Sequence, residues 1–187
     1  MAQPTRLLVC SIGNPAPYLS TFHSAGHVVL NSLRTLLAHP PFMKSRAHGN
    51  GQLSPGLEYT LWQSPSLMNI SGVGVAAAWR QFTRDTPSDM ATQLVIIHDE
   101  LELPLGQMKA KKGELSAKGH NGLKSCKEQL RDVEWWRIGI GIGRPISREP
   151  AQVADYVLKK MGPMERAKIE GSAVKVATEL RRLAGAS

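Results

Sequence analysis

The chain has only two cysteines in 187 residues, too few for the disulfide framework of a small secreted domain. Cys10 sits in the apolar run Leu7-Leu8-Val9-Cys10 and Cys126 in an expected helix, so two reduced, packed thiols and a reducing compartment are expected. No apolar run reaches the roughly 18 residues of a membrane-spanning helix, and no membrane partner is expected. The start Met1-Ala2-Gln3-Pro4-Thr5-Arg6 is too short and too polar for a secretory signal. The expected compartment is therefore the cytoplasm, with mitochondria the alternative if a presequence has been removed. There is no internal repeat, low-complexity tract or linker, which leaves one domain over residues 1–187, expected to be a monomer. A chain of this length can bury about 70% of its unfolded surface without disulfides or a structural metal.

Acidic residues are also few: 15 Asp and Glu stand against 23 Lys and Arg, a formal charge of +8, with a pI near 9.8. Between Pro104 and Pro150 ten Lys and Arg face five Asp and Glu, so five of the eight excess charges fall in one quarter of the chain. A polyanionic partner would suit this distribution, and so would a solvated basic face.

The apolar pattern alternates short β-like runs with longer helical ones. Strands are predicted at Arg6–Ile12, Tyr59–Gln63, Gln93–Ile97, Gln107–Lys111 and Trp136–Ile142. Helices are predicted at Ala25–Leu37, Gly72–Phe82, Gly122–Leu130, Gln152–Lys160 and Met164–Leu183. The last carries the stripe Ile169, Ala173, Val176, Ala177, Leu180, Leu183. The loop Ser45–Gly56 reads as a hairpin-like connection. The fold class is α/β: a mixed, largely parallel sheet flanked by helices on both faces. Ligands in such sheets bind beyond the carboxyl ends of the strands. Polar clusters fall there: Asn14 after the first strand, His98-Asp99-Glu100 after the third, Met68-Asn69 opening the second helix and Gly119-His120-Asn121-Gly122 opening the third.

Familiar catalytic signatures are missing. There is no Gly-x-Ser-x-Gly elbow, no Walker loop, no Gly-x-Gly-x-x-Gly after a strand and no His-Glu-x-x-His. The alternation Gly139-Ile140-Gly141-Ile142-Gly143 suits a buried strand whose small face touches another backbone. His23, His98, Asp99 and Glu100 could be gathered around a metal, but no pair has helix-face ligand spacing, and neither metal nor cofactor is expected. His23, entering the first helix, would feel the positive end of its dipole, which favours a neutral imidazole usable as a base. Asp99 could hold its other ring nitrogen; equally, both residues could cap and pack. Asn14, Asn69 and Asn121 could supply neutral donors to an oxyanion and acceptors to a water, and asparagine is also at home in turns and caps.

Six segments decide between these readings. Gly13-Asn14-Pro15 with Tyr18, Thr21-Phe22-His23-Ser24-Ala25-Gly26, Met68-Asn69-Ile70-Ser71-Gly72, His98-Asp99-Glu100-Leu101-Glu102-Leu103-Pro104, Gly119-His120-Asn121-Gly122-Leu123-Lys124 and Arg137-Ile138-Gly139-Ile140-Gly141 together resemble, in order, the bacterial-type peptidyl-tRNA hydrolase family. The resemblance spans about Leu7 to Met161. It implies hydrolysis of the ester between a peptide and the 3′ end of tRNA, with peptidyl-tRNA as partner and no cofactor. His23 would be the catalytic base and Asp99 its partner, with Asn14, Asn69 and Asn121 arranging substrate and water. Tyr18, Met68 and His120 would join Asn69 and Asn121 in binding substrate, and Lys109, Lys111 and Arg137 would hold tRNA phosphates; Lys112 competes with the first two for that role. The chain departs from the family pattern at Ser24, where asparagine is usual, in the glycine-poor stretch Gly113–Gly119, and in a first loop one residue shorter. Two other readings remain: a non-catalytic RNA-binding protein on this fold, and an esterase for small acyl groups.

Overall fold

Seven strands form one sheet in a computed structural model of the chain, which describes residues 5–185. Of the polar start, residues 1–4 lie outside the described part. β1 (Thr5–Ser11), β4 (Tyr59–Gln63), β5 (Ala91–Glu100) and β7 (Trp135–Gly141) run parallel at the centre. β2 (Met43–Lys44) and β3 (Gln52–Ser54) add antiparallel to β4, and β6 (Met108–Lys112) adds antiparallel to β7, giving the order β2-β3-β4-β1-β5-β7-β6. The mixed, mostly parallel sheet is the expected one. Its central strands are buried on both faces, which is why they read as continuous apolar runs instead of alternating ones.

Helices cover both faces. α1 (Ala25–Leu36), α5 (Pro163–Gly171) and α6 (Ala173–Leu183) close one core around Leu7, Val9, Val95, Ile97, Ile138 and Ile140. α2 (Ser71–Asp85) and α3 (Asn121–Gln129) close the other around Leu8, Cys10, Trp62, Leu94, Ile96 and Cys126. Both cysteines are free and buried, and burial pushes the Cys126 thiol up to about 12. α4 (Pro150–Val157) buries none of its residues.

The expected helix Met164–Leu183 is two helices. The break falls at Ser172, whose buried hydroxyl donates to the carbonyl of Ile169 at 2.7 Å. The apolar stripe runs on across it because both pieces pack on the same core. The loop Ser45–Gly56 contains β3, which with β2 forms a short hairpin. Gly141 behaves as its alternation with isoleucine suggested: a Cβ there would lie 2.0 Å from the carbonyl oxygen of Pro104, so only glycine lets that loop close over β7.

Two buried histidines make stability pH-dependent. His27 is hydrogen-bonded to Ser11 Oγ at 2.7 Å, while its Nε2 has no partner; burial pushes its pKa down to about 3. Burial, helped by the neighbouring His120, also pushes His98 down to about 3. Their folded pKa values lie below the unfolded value of about 6.5. The unfolded chain therefore binds protons that the native state refuses, and stability falls as pH drops from about 6.5 towards 3, by up to about 1.4 kcal/mol per pH unit for each residue. His23, whose pKa is raised, takes up its proton above that window and adds no slope below about 6.5. Urea midpoints are expected to be lower at pH 5 than at pH 7, with a shallower fall in His27→Gln; equal midpoints at both pH values would show that these rings are not held neutral.

Candidate active site

His23 belongs to a 3₁₀ turn, Phe22–Ser24, that leads into α1. Phe22 and Ser24 are buried on either side of it, so the turn leaves the intervening imidazole facing outwards, 18% exposed. Phe22 stacks on Tyr156, ring centroids 5.2 Å apart. Gly26 sets the distance to the sheet, since a Cβ there would come within 2.7 Å of the Ile97 carbonyl and 3.0 Å of that of Ile12. This close approach brings His23 to the carboxyl end of β5. There its Nδ1–H donates to Asp99 Oδ2 at 2.8 Å, which leaves the Nε2 lone pair for the cavity. Burial lowers the His23 pKa, but the charge of Asp99 and its hydrogen bond outweigh burial and raise it overall. The helix dipole was expected to favour a neutral ring; the carboxylate in direct contact raises its pKa instead.

Asp99 lies inside β5, in register with Ile140, and is 2% exposed. Its Oδ1 accepts from His120 Nε2 at 2.8 Å, so one carboxylate holds two imidazoles. Burial alone would raise its pKa, yet His23 and His120, one on each oxygen, hold it well below the ordinary carboxylate range. His120 caps α3: its Nδ1 accepts the Leu123 amide at 3.2 Å. His98 is buried behind Asp99, donates from Nδ1 to its carbonyl oxygen at 2.6 Å, and meets the edge of the His120 ring.

His23, Asp99 and His120 each bring one ligand atom to within 4.8 Å of the others. Their hydrogen bonding does not suit a metal. Because His120 Nδ1 accepts a backbone amide, its proton sits on Nε2, facing Asp99 where a cation would need a lone pair.

The asparagines divide. Asn121 is the first residue of α3 and lines the cavity beside His23. Asn14 is buried, and its Oδ1 accepts the Met68 amide at 2.8 Å, tying the loop after β1 to the turn before α2. Asn69 is exposed in that turn. Met68, expected to line the pocket, is only 4% exposed and belongs to the core under α2 and α3. The turn that presents Asn69 buries its neighbour. Tyr18 is 41% exposed and lies off the cavity wall; its carbonyl anchors Ser24 Oγ at 2.8 Å and Thr21 Oγ1 at 2.8 Å. Ser24, which the motifs mark only as a departure, is buried and ties two segments of the site together. Its hydroxyl also accepts the Asn14 amide at 3.1 Å, so it fixes the first loop against the turn carrying His23.

A cavity of about 520 Å³ opens in front of His23 and His120. Val153, Ala154 and Val157 of α4 line it together with Leu123, and an ion pair between Arg144 and Glu102 stands in its wall. Tyr156 fastens α4 by donating to the Ile142 carbonyl at 2.6 Å.

On β6 the side chains alternate. Lys109 and Lys111 pair in register with Gly139 and Arg137 and share their face of the sheet, where Lys111 Nζ lies 3.7 Å from Glu100. Lys112 pairs with Trp136 and lies over its ring at 4.5 Å, on the opposite face. Arg137 corrects an expectation: it is 4% exposed, and Nη2 donates to the Ser116 carbonyl at 2.7 Å. A phosphate cannot reach it without displacing the loop Gly113–Gly119 that covers it.

Among the described residues no helix is long and apolar enough to cross a membrane. The family model for peptidyl-tRNA hydrolase matches residues 8–186. A peptidyl-tRNA hydrolase of Leptothrix cholodnii is 36% identical over 194 aligned residues, covering 96% of this chain and 82% of that protein. One of Treponema pallidum is 39% identical, covering 86% of this chain and 78% of the relative. Among solved structures, peptidyl-tRNA hydrolase from Acinetobacter baumannii superposes with a TM-score of 0.77 at 26% identity, covering 99% of this chain and 91% of that one. Motifs, sheet order and sequence similarity along nearly the whole length agree, and the chain belongs to the peptidyl-tRNA hydrolase family.

Proposed function

We propose that the chain hydrolyses the ester between a peptide, or another N-blocked aminoacyl group, and the 3′ end of tRNA, with His23 as general base on a water. The observation that carries this is the Asp99-held imidazole whose Nε2 faces the cavity. The substrate is an activated ester, so one oriented base with a few polar groups around the carbonyl suffices without a covalent nucleophile. Asn121 stands where it can hold the water or the peptide. Asn14 acts by fixing Met68 and the loop, and Asn69 offers its amide from the exposed turn. The test is to compare N-acetyl-aminoacyl-tRNA with free aminoacyl-tRNA: rapid hydrolysis of the first and slow hydrolysis of the second are expected, and binding without turnover would replace this reading with that of an RNA-binding protein.

The pH dependence has a fixed sign. The base must be neutral and its pKa is raised, so kcat/KM should fall as pH drops through a midpoint above the ordinary 6.5 or so. A midpoint below 6 would mean that Asp99 does not control this ring.

Lys109 and Lys111, on the face shared with the covered Arg137, are the proposed phosphate contacts. Lys109→Ala and Lys111→Ala should raise KM for peptidyl-tRNA and spare kcat. Each should also flatten the dependence of log K on log salt by roughly 0.7–0.9 for every phosphate it no longer neutralises. On a peptidyl-adenosine they should change nothing. Equal losses on both substrates would assign these lysines to the active site or the fold.

A further inference from the structure

We infer that His120 is a positioning residue that sets the protonation of His23 through the carboxylate they share; this rests on the reading of His23 as the base. Asp99 has two oxygens and each holds one ring nitrogen at 2.8 Å: Oδ2 that of His23, Oδ1 that of His120. At 2% exposure the carboxylate is shut off from water, so these bonds and the neighbouring groups decide where its charge is used.

His120 cannot choose its role freely. As the residue capping α3, it accepts the Leu123 amide on Nδ1, and this fixes the proton on Nε2, facing Asp99. A second proton, on Nδ1, would point at the Leu123 N–H and at the positive end of α3. His120 is thus held as a donor to Asp99 and an acceptor for the cap, wired to the start of a helix whose first residue, Asn121, lines the same cavity. The donor does two things. It clamps Oδ1 so that Oδ2 is aimed at His23 Nδ1, and it draws charge away from Oδ2, so that His23 is less readily protonated than it would be beside an unshared carboxylate.

The other charged groups around His23 are Glu100 and Glu102 from the end of β5, Lys118 ahead of α3, and Arg144 and Arg148 ahead of α4. α4 itself turns apolar side chains to the cavity, and the chain from Lys159 to Lys160 meets the turn through its backbone. Behind Asp99, His98 donates to its carbonyl oxygen. Of these, His98 also meets the His120 ring; both variants at position 120 lose that ring, so a difference between them does not come from His98.

Two substitutions separate the two bonds of His120. In His120→Asn the side chain still caps the helix, since asparagine is a preferred N-cap, but it is too short to reach Asp99. In His120→Gln the terminal amide can still donate to Asp99, while the cap is weakened. The readout is the pKa of His23 followed by NMR of its ring, which needs neither substrate nor turnover, alongside the acid limb of kcat. His120→Asn should raise the His23 pKa by about 0.5 to 1 unit and lower kcat most at pH 6, with recovery towards wild type at pH 8; His120→Gln should stay close to wild type in both. An unchanged His23 pKa in His120→Asn, or equal shifts in the two variants, would overturn the inference. So would a rise in KM alone, which would leave His120 a substrate contact. A His23 pKa that behaves as expected in a protein that hydrolyses no peptidyl-tRNA would separate failure of the proposed function from failure of this inference.

Discussion

His23→Ala is expected to lower kcat on peptidyl-tRNA by at least about 10²-fold while leaving tRNA affinity nearly unchanged. A positioned general base contributes about 10²- to 10⁴-fold, and this is the ring whose Nε2 is open to the cavity while its Nδ1 is held by a carboxylate. His120 cannot take over, because one of its nitrogens is committed to the Leu123 amide and the other to Asp99. His98 is buried behind Asp99 and faces its carbonyl. Among the described residues the side chain of His23 hydrogen-bonds only Asp99, so the variant should remain folded, by circular dichroism, at the assay temperature. Turnover within a few-fold of wild type would remove His23 from the mechanism.

Asp99→Asn should cost a comparable factor, for a reason specific to this site. Two imidazole N–H groups converge on the carboxylate, and an amide offers them only one oxygen. The cap on α3 fixes the tautomer of His120, so the amide oxygen is drawn to His120 and its NH₂ is turned to His23. To accept from that NH₂, the His23 ring must move its proton to Nε2, which removes the base from the cavity side. The opposite orientation would break the cap. Loss of the negative charge adds to this by leaving the imidazolium formed during reaction unstabilised. A loss of about 10²- to 10⁴-fold is expected, and the double variant with His23→Ala should be little worse than either single one, since the two act as a unit. Near wild-type rates for Asp99→Asn between pH 6 and 8 would make Asp99 structural.

The pairing of His23 with Asp99 could be read from the chain because each stands in a segment of recognisable type at the end of a strand or the start of a helix, and α/β topology brings such ends together. The elements were legible for the same reason: runs such as Tyr59–Gln63 are apolar and bounded by turn residues, and that strand spans the predicted residues. Periodicity could not see the break at Ser172, since the stripe from Ile169 to Leu180 packs on one core on both sides of it. Nor could it find β2 and β3, two and three residues long. In the site, proximity to a strand end says nothing about which way a side chain turns, which is why Met68 and Arg137, expected at the substrate, are instead buried. The alternation along β6 separates Lys109 and Lys111 from Lys112 once the register with β7 is known. The second imidazole on Asp99 escaped notice for a different reason. It depends on three bodies at once, a helix cap, a tautomer and a shared carboxylate, and no spacing in the sequence encodes that.

The central claim is that His23 drives direct attack of water on the ester. Rapid mixing of excess N-acetyl-aminoacyl-tRNA with the wild-type protein and with His23→Ala, following free tRNA and the released N-acetyl amino acid separately, tests it most directly. The two products should appear together, in one phase without a burst, and at least about 100-fold more slowly in the variant. A burst of free tRNA ahead of the acid, the mark of a covalent acyl-enzyme, or equal rates in the two proteins would contradict it.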